Sequence, residues 1–332
     1  MPFDQLQRRA FVALLGGSAV AWPLAGRAQQ PGKPVIGFLS SLSPGVVARP
    51  LAAFRQTLRE AGYEEGKAIT VEYRWAEGHY DRLPGLAVDL VRQQAAVIVA
   101  IGGDSPALAV KAATATIPIV FVVGRDPVRL GLVASLNRPA GNATGVNILI
   151  TEIESKRVEL LRQLVPAAAK LAVLANPKGP ETEAVLNDLQ SVARSSGQPL
   201  EVLNASSESE IDAAFQSLKE AKIGGLLVSA DPFFVTYRDQ IILRASQDAI
   251  PAIYPIREFA DSGGLISYGA PLVDAYQQVA AYVARILKGA NPAELPVAQP
   301  TKFELVINLK AAKALQVTLP QIVLMTADEV IE

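Results

Sequence analysis

The chain has 332 residues, 50% of them hydrophobic and 19% charged, with a formal net charge of −1. That balance can bury sizeable cores, which excludes a disordered chain, and the length points to two domains. No basic block stands anywhere in it, so no nucleic-acid partner is expected.

The first residues read as a targeting segment. Arg8 and Arg9 precede an apolar run from Ala10 to Ala25, and the small residues Gly26 and Ala28 stand where a signal peptidase prefers them. Cleavage is expected after Ala28, making residues 1–28 a signal peptide, with export by either the Sec or the Tat route. The run has the length of a signal core and is short for a membrane span. Losing Asp4, Arg8, Arg9 and Arg27 would leave a net charge of −3. Cysteine is absent, so disulfides, thiolate chemistry and a lipoprotein anchor are not expected. The expectation is a periplasmic protein, monomeric, with no stable membrane anchor.

From Pro34 the chain alternates strand and helix. Val35 to Leu39 is a short apolar strand followed by the polar loop Ser40 to Gly45, and a helix from about Val47 to Ala61 stops at Gly62. Ile69 to Trp75 alternates apolar and polar residues, as a strand with one wet face does. Asp81 can cap a helix running to Gln93. Ala96 to Ile101 is a buried strand closed by Gly102, Gly103 and Asp104, with Ser105 as the expected N-cap and Pro106 as the first helical residue. That helix reaches Thr114. Ile117 to Val123 follows as a valine-rich strand, ending at Gly124 with Arg125, Asp126 and Pro127 beyond it.

A turn-rich connector, Arg138 to Gly145, leads into a second copy of the plan. It predicts a helix from Glu152 to Leu164, a strand from Leu171 to Ala175, a helix over 181–195 and a strand from Leu200 to Leu203. A helix from Ser209 to Ala221, a strand from Gly225 to Ser229, a helix over 234–247 and a strand from Pro251 to Tyr254 come next. Gly264 to Gly269 reads as a segment returning to the first lobe, where a helix over 272–287 would pack. Phe303 to Leu309 and Lys310 to Leu315 supply a last strand and helix. The predicted fold is α/β: two Rossmann-like lobes, with parallel sheets flanked by helices, joined by three hinge crossings near 143–148, 264–270 and 296–302. Lobe 1 takes residues 33–146 and 267–298, and lobe 2 takes 147–266 and 299–332.

Catalytic chemistry is poorly supplied. His79 is the sole histidine and sits in a turn, so a catalytic triad with a second histidine in reserve or a His/Cys metal cluster cannot be composed. The Gly-x-Ser-x-Gly, phosphate-loop and dinucleotide fingerprints are missing. Neither an enzyme nor a cofactor nor a metal is expected. What remains is a set of small polar residues at the carboxyl ends of successive strands: Ser40, Ser41, Asp104, Ser105, Asp126, Asn176 and Asp231. Hydroxyls, loop amides and helix N-termini can grip a carboxylate, and Asp126 or Asp231 can accept hydrogen bonds from an ammonium. Tyr254 and Tyr268, near the second crossing, could form an apolar wall. Each residue alone also fits a cap or turn, Asp126-Pro127 and Asp231-Pro232 especially. Together they fall on the sheet edge where open α/β folds bind ligands.

Longer words are more specific. They run from Glu72 to Gly78, Asp81 to Pro84, Ala113 to Phe121, Gly131 to Pro139, Gly141 to Gly145, and Lys156 to Leu161. With them the chain resembles the ABC transporter substrate-binding protein family, in its TrpX-like branch with the type I periplasmic-binding fold. The resemblance implies a periplasmic protein that captures a small solute between its lobes and delivers it to the transmembrane subunits of an ABC permease. It also implies that the pocket loops are Ser40-Ser41, Gly103-Asp104-Ser105, Gly124 with Asp126, and Ser229 to Asp231. Arg125 would either pair with Asp104 or bind an anionic ligand. The expected solute is an amino acid or a related carboxylate, aromatic ones included. Two alternatives stand beside this reading: a ligand-sensing periplasmic module docking on a membrane receptor, and an exported α/β enzyme using Asp104, Asp126 or Asp231 as acid or base.

Overall fold

A computed structural model describes residues 32–166, 170–180, 182–195 and 199–332. The expected signal peptide lies outside these residues. Among them the strands form two sheets. The first has the order β2-β1-β3-β4-β5, built from β1 (Val35–Ser40), β2 (Thr70–Trp75), β3 (Val97–Ile101), β4 (Ile119–Val123) and β5 (Ala143–Asn147), all parallel. Every residue of β3 and β4 is buried, as central strands covered on both faces must be. The edge strand β2 exposes Thr70 and half-buries Glu72 to Trp75. Gly145 of β5 pairs with Phe121, and a Cβ there would lie 2.2 Å from the Phe121 carbonyl oxygen, so no larger residue fits the pairing.

Helices α1 (Ala48–Glu60), α2 (Leu83–Arg92) and α3 (Asp104–Ala113) join these strands. After β5 the chain enters α4 (Ile150–Leu164) and the second sheet, ordered β12-β11-β10-β9-β8-β6-β7. It contains β6 (Leu171–Ala175), β7 (Leu200–Asn204), β8 (Gly225–Val228), β9 (Ala252–Tyr254), β10 (Ile266–Gly269), β11 (Glu304–Asn308) and β12 (Glu329–Ile331), with helices α5 (Thr182–Ser195) and α6 (Glu208–Glu220) between the first of them. Only the β10–β11 pair is antiparallel within these described strands.

Several expectations give way to the tertiary structure. The helix after β3 begins at Asp104 with Gly103 as its N-cap, two residues before Pro106, because Gly102 and Gly103 (φ +96° and +93°) complete the turn early. Asp81 caps no helix: Tyr80–Arg82 is a 3-10 turn and α2 starts at Leu83. The single helix expected over 234–247 is two, α7 (Pro232–Thr236) and α8 (Arg238–Gln247), broken at Tyr237. Residues 267–269, assigned above to lobe 1, belong to β10, whose Ile266 and Ser267 pair with Ile253 and Tyr254 in the second sheet. The return to the first lobe therefore follows Gly269. Short elements with too few residues to show a period were not foreseen, namely α9 (Arg257–Asp261), a late helix at Gln321–Thr326 and β12.

The returning helix, α10 (Leu272–Leu287), packs against α1, β3, β4 and β5, burying Leu272, Tyr276, Val279, Ala280 and Val283 at helical spacing. The third crossing runs beside the first: the Asn147 amide donates to the Ala298 carbonyl (2.9 Å), and the Ala298 amide donates to the Gly145 carbonyl (2.9 Å).

Candidate functional site

Each sheet reverses its strand order once, between β1 and β3 in the first and between β6 and β8 in the second. Loops diverge at such a point and leave a crevice at the strand carboxyl ends. Ser40, Ser41 and Gly102 to Asp104 stand at the first reversal, Asn176 and Ser229 to Asp231 at the second.

At the first, the polar groups hold the loops to each other. The Ser41 hydroxyl donates to the Gly102 carbonyl, and the Ser40 hydroxyl accepts from the Leu42 amide at 3.1 Å. Both serines are fully buried. A Cβ on Gly102 would lie 2.6 Å from the Ser41 Oγ, which fixes glycine there. Asp104, also fully buried, accepts from the Gly124 amide at 2.8 Å and from Arg125 Nε at 2.6 Å. Of the two roles open to Arg125, the pair with Asp104 is formed, tying the end of β3 to the end of β4. Asp126 is half exposed and turns its Oδ1 to the Val128 amide at 2.8 Å, a local turn contact. Ser105 differs: its buried hydroxyl has no hydrogen-bond partner among the described residues.

At the second, Asp231 is the centre. It caps α7, its Oδ1 accepting from the Phe233 amide at 2.8 Å, and the same oxygen accepts from Asn176 Nδ2 at 3.1 Å and from the Tyr80 hydroxyl at 2.9 Å. Tyr80 comes from the turn after β2, on the opposite lobe. Burial pushes the Asp231 carboxyl above the ordinary aspartate range, while its hydrogen bonds pull the other way. Asn176 is held in turn, its Oδ1 accepting from the Lys178 amide at 3.0 Å.

Two hollows adjoin at these loops and share Ile150, Ala230 and Asp231. One, about 430 Å³ with its open mouth, is lined in addition by Gly124, Arg125, Thr182 and Ser229. The other, about 530 Å³ measured likewise, is walled by Leu42, Ile101, Val122, Ile148, Ile256 and Leu272, with Gly102, Gly103 and Tyr276. The first mixes polar and apolar walls, Ala175, Val185 and Leu186 beside Arg125, Thr182 and Ser229, and the second is apolar, with Asp231 on the boundary.

Tyr254 and Tyr268 lie elsewhere. Tyr254 is 1% exposed, stacked on Phe259 with ring centroids 4.7 Å apart, and lines a separate hollow with Ser246 and Asn308. Tyr268 packs against Phe303. Neither lines the two hollows at Asp231, whose apolar side is formed by Ile148, Ile150, Leu272 and Tyr276 among others, because β10 stays in the second sheet. Tyr80, Thr182, Ile150 and Tyr276 were not singled out by the sequence, where a lone tyrosine, threonine or isoleucine carries no signal of its own.

Other contacts join the lobes around the cleft. Arg238 Nη1 donates to the Val46 carbonyl (2.8 Å), and Arg49 faces Asp261 at 3.5 Å. Within the second lobe Arg157, 1% exposed, pairs with Glu154 at 2.8 Å and donates to the Tyr268 carbonyl (2.8 Å), clamping α4 to the strand that leads into the second crossing. Among the described residues no acidic, histidine or cysteine cluster could hold a metal, and no helix is long and apolar enough to cross a membrane.

Comparison with known proteins gives the same outline. Residues 44–331 match the family model described as ABC transporter substrate binding protein. The chain is 28% identical over 262 residues to a tyrosine-binding protein of Clostridioides difficile, covering 79% of this chain and 75% of that one. A conserved domain protein from Vibrio cholerae superposes with a TM-score of 0.80 at 28% identity, over 90% of this chain and 99% of that one. A domain from Streptococcus pneumonia in complex with L-Trp gives 0.79 at 24% identity, over 90% and 100%.

Proposed function

The chain belongs to the ABC transporter substrate-binding protein family, and from that premise we propose that it captures one amino acid between its lobes in the periplasm and delivers it to the transmembrane subunits of an ABC importer. The family is one of solute-binding proteins, and the reading needs no catalytic step. The observation that carries the choice of an amino acid is that Asp231 stands where a hollow bearing Arg125 and Ser229 meets an apolar one. An amino acid has that division built into it: a charged head and a side chain of separate chemistry.

In this reading the ligand ammonium lies against Asp231, whose Oδ1 takes three hydrogen bonds that favour its ionised form against the effect of burial. The carboxylate turns toward the Arg125 side of the first hollow, where Ser229 adds a hydroxyl. The side chain enters the apolar hollow, where removal of its surface from water supplies affinity at about 25 cal/mol per Å². A relative that binds tyrosine and another holding L-Trp favour an aromatic side chain. Closure brings Tyr80 to Asp231, so the permease would meet a different surface on the loaded protein than on the empty one.

The experiment is native mass spectrometry of the mature protein purified from its own host, followed by thermal-shift screening of amino acids and aromatic acids. A retained amino acid that raises the melting temperature is the expected result. A protein that neither retains nor is stabilised by any amino acid overturns the reading.

A further inference from the structure

The ladder between β9 and β10 ends at Ser267 opposite Tyr254. The residue after Tyr254 is Pro255, which brings no amide hydrogen to a ladder. Arg157 of α4 takes over at that point. Its Nε donates to the Tyr268 carbonyl (2.8 Å) and its Nη2 to the Pro255 carbonyl (3.3 Å), while its Nη1 faces Glu154 Oε1 at 2.8 Å. Arg157 and Glu154 are each 1% exposed.

Two things rest on the Pro255 carbonyl. Gly269, the last residue of β10 before the chain returns to the first lobe, packs straight onto it: a Cβ there would lie 2.1 Å from the oxygen. Pro255 and Ile256 also line the apolar hollow. At the other end, α4 begins just after the first crossing, where the Ile150 amide donates to the Gly124 carbonyl of the first lobe (2.9 Å) and Ile150 lines both hollows. One helix therefore serves both crossings. Its first residue is bonded to the first lobe, and Arg157, two turns on, to the strand ends of the second. A buried ion pair adds little net stability over a hydrocarbon pair of the same volume, so packing alone does not call for Arg157. Gripping two carbonyls from different segments does, because a guanidinium offers its donors in a rigid planar fork and a lysine ammonium does not.

We propose that Arg157 is a positioning residue for solute capture: through the Tyr268 and Pro255 carbonyls it fixes where the second crossing leaves the second lobe and where Ile256 stands in the wall of the hollow. The lobes then close on the solute in one register. Arg157 touches no solute itself and acts only through those two segments. The effect on affinity rests on the solute-binding reading above; the anchoring of Gly269 and Ile256 does not depend on which solute is bound.

The test compares wild type, Arg157→Lys and Leu218→Ala, each checked for folding by its melting curve. Leu218 is buried in α6, an element of neither crossing, so its truncation lowers stability alone. Two readouts are taken on the mature protein: native-state hydrogen exchange without ligand, and titration calorimetry with L-tyrosine and L-tryptophan as probes. In Arg157→Lys, exchange over Ile256 to Phe259 and Gly269 to Leu272 is expected to quicken at least about tenfold while β6 and β8 keep their wild-type rates. Affinity for whichever probe wild type binds is expected to fall about tenfold in Arg157→Lys and to stay within about twofold in Leu218→Ala. Exchange that quickens alike over the whole second lobe in Arg157→Lys overturns the proposal, since a merely structural role would do that. So does wild-type affinity in Arg157→Lys, or an equal affinity loss in Leu218→Ala. If wild type binds neither probe and the amino-acid screen is negative, the amino-acid reading falls, and the exchange pattern alone decides the positioning role. If Arg157→Lys does not fold, Gly269→Ala, which crowds the same carbonyl, is judged by the same two readouts.

Discussion

At the first strand-order reversal Asp104 is held by groups of its own lobe, the Gly124 amide and the Arg125 guanidinium, whereas at the second Asp231 takes one of its bonds from Tyr80 on the opposite lobe. Both are buried aspartates at the carboxyl edge of a parallel sheet, and both follow glycine- or alanine-rich turns. Their neighbours separate them. Asp104 is bonded whatever the lobes do, so it serves the fold of one lobe. The Tyr80 bond crosses between the lobes, and the same Asp231 oxygen caps helix α7, so Asp231 ties one lobe to a helix of the other. An acid at a ligand-binding edge is thus assigned by where its donors come from.

The largest effect expected from breaking this contrast is on stability. Asp104→Ala removes a fully buried acceptor and leaves Arg125 and the Gly124 amide without it, and is expected to cost about 3 kcal/mol in denaturant unfolding. Any loss of ligand affinity should only follow that loss of fold. Asp231→Ala reverses the weighting. Losing the helix cap costs about 1 kcal/mol, while amino-acid affinity falls about a hundredfold in titration calorimetry, since the ligand ammonium is left unpaired. Equal stability losses in the two variants would erase the distinction.

Titration sharpens it further. Burial raises the Asp231 carboxyl, and pairing with an ammonium requires the ionised form. Affinity should therefore fall as pH is lowered through the raised value, and Asp231→Asn should flatten that profile. Stability has the opposite sign. A carboxyl whose folded pKa is raised favours the folded chain fully below its unfolded value of about 4 and loses that contribution as pH rises through the folded value. Asp231 and Glu258 both belong to this class, so Glu258→Gln should improve stability relative to wild type more at neutral pH than at acid pH, in melting curves across that window.

Smaller effects test the seam between the lobes. Tyr80→Phe deletes a single hydroxyl, worth about 1 kcal/mol, and should speed ligand release about fivefold in stopped-flow traces with little change in melting temperature. Arg49→Ala breaks a solvent-exposed pair with Asp261 and should change ligand release and stability by less than about 0.5 kcal/mol. A larger effect than that of Tyr80→Phe would move the closing contact from Asp231 to the rim.

Periodicity and turn chemistry are local, and the sequence by itself determined what depends on them. It carried the alternation of buried strands and amphipathic helices, the repetition of that plan, and the gathering of Ser40, Asp104, Asn176 and Asp231 at strand ends. Leu171–Ala175 was legible to the residue because an apolar run between a helix stop and an Asn-Pro turn has one good reading. Tertiary structure alone decided the rest. Whether Ile266–Gly269 returned to the first lobe depended on its pairing with β9 and β11, and pairing energy is not written in a four-residue segment. The Tyr80–Asp231 bond spans 151 residues, and the place of Leu272 and Tyr276 in the wall of the apolar hollow depends on how α10 packs back against the first sheet. Hydroxyls and carboxyls look alike in sequence; burial, and the donors that the fold brings to them, separate a cap from a ligand contact.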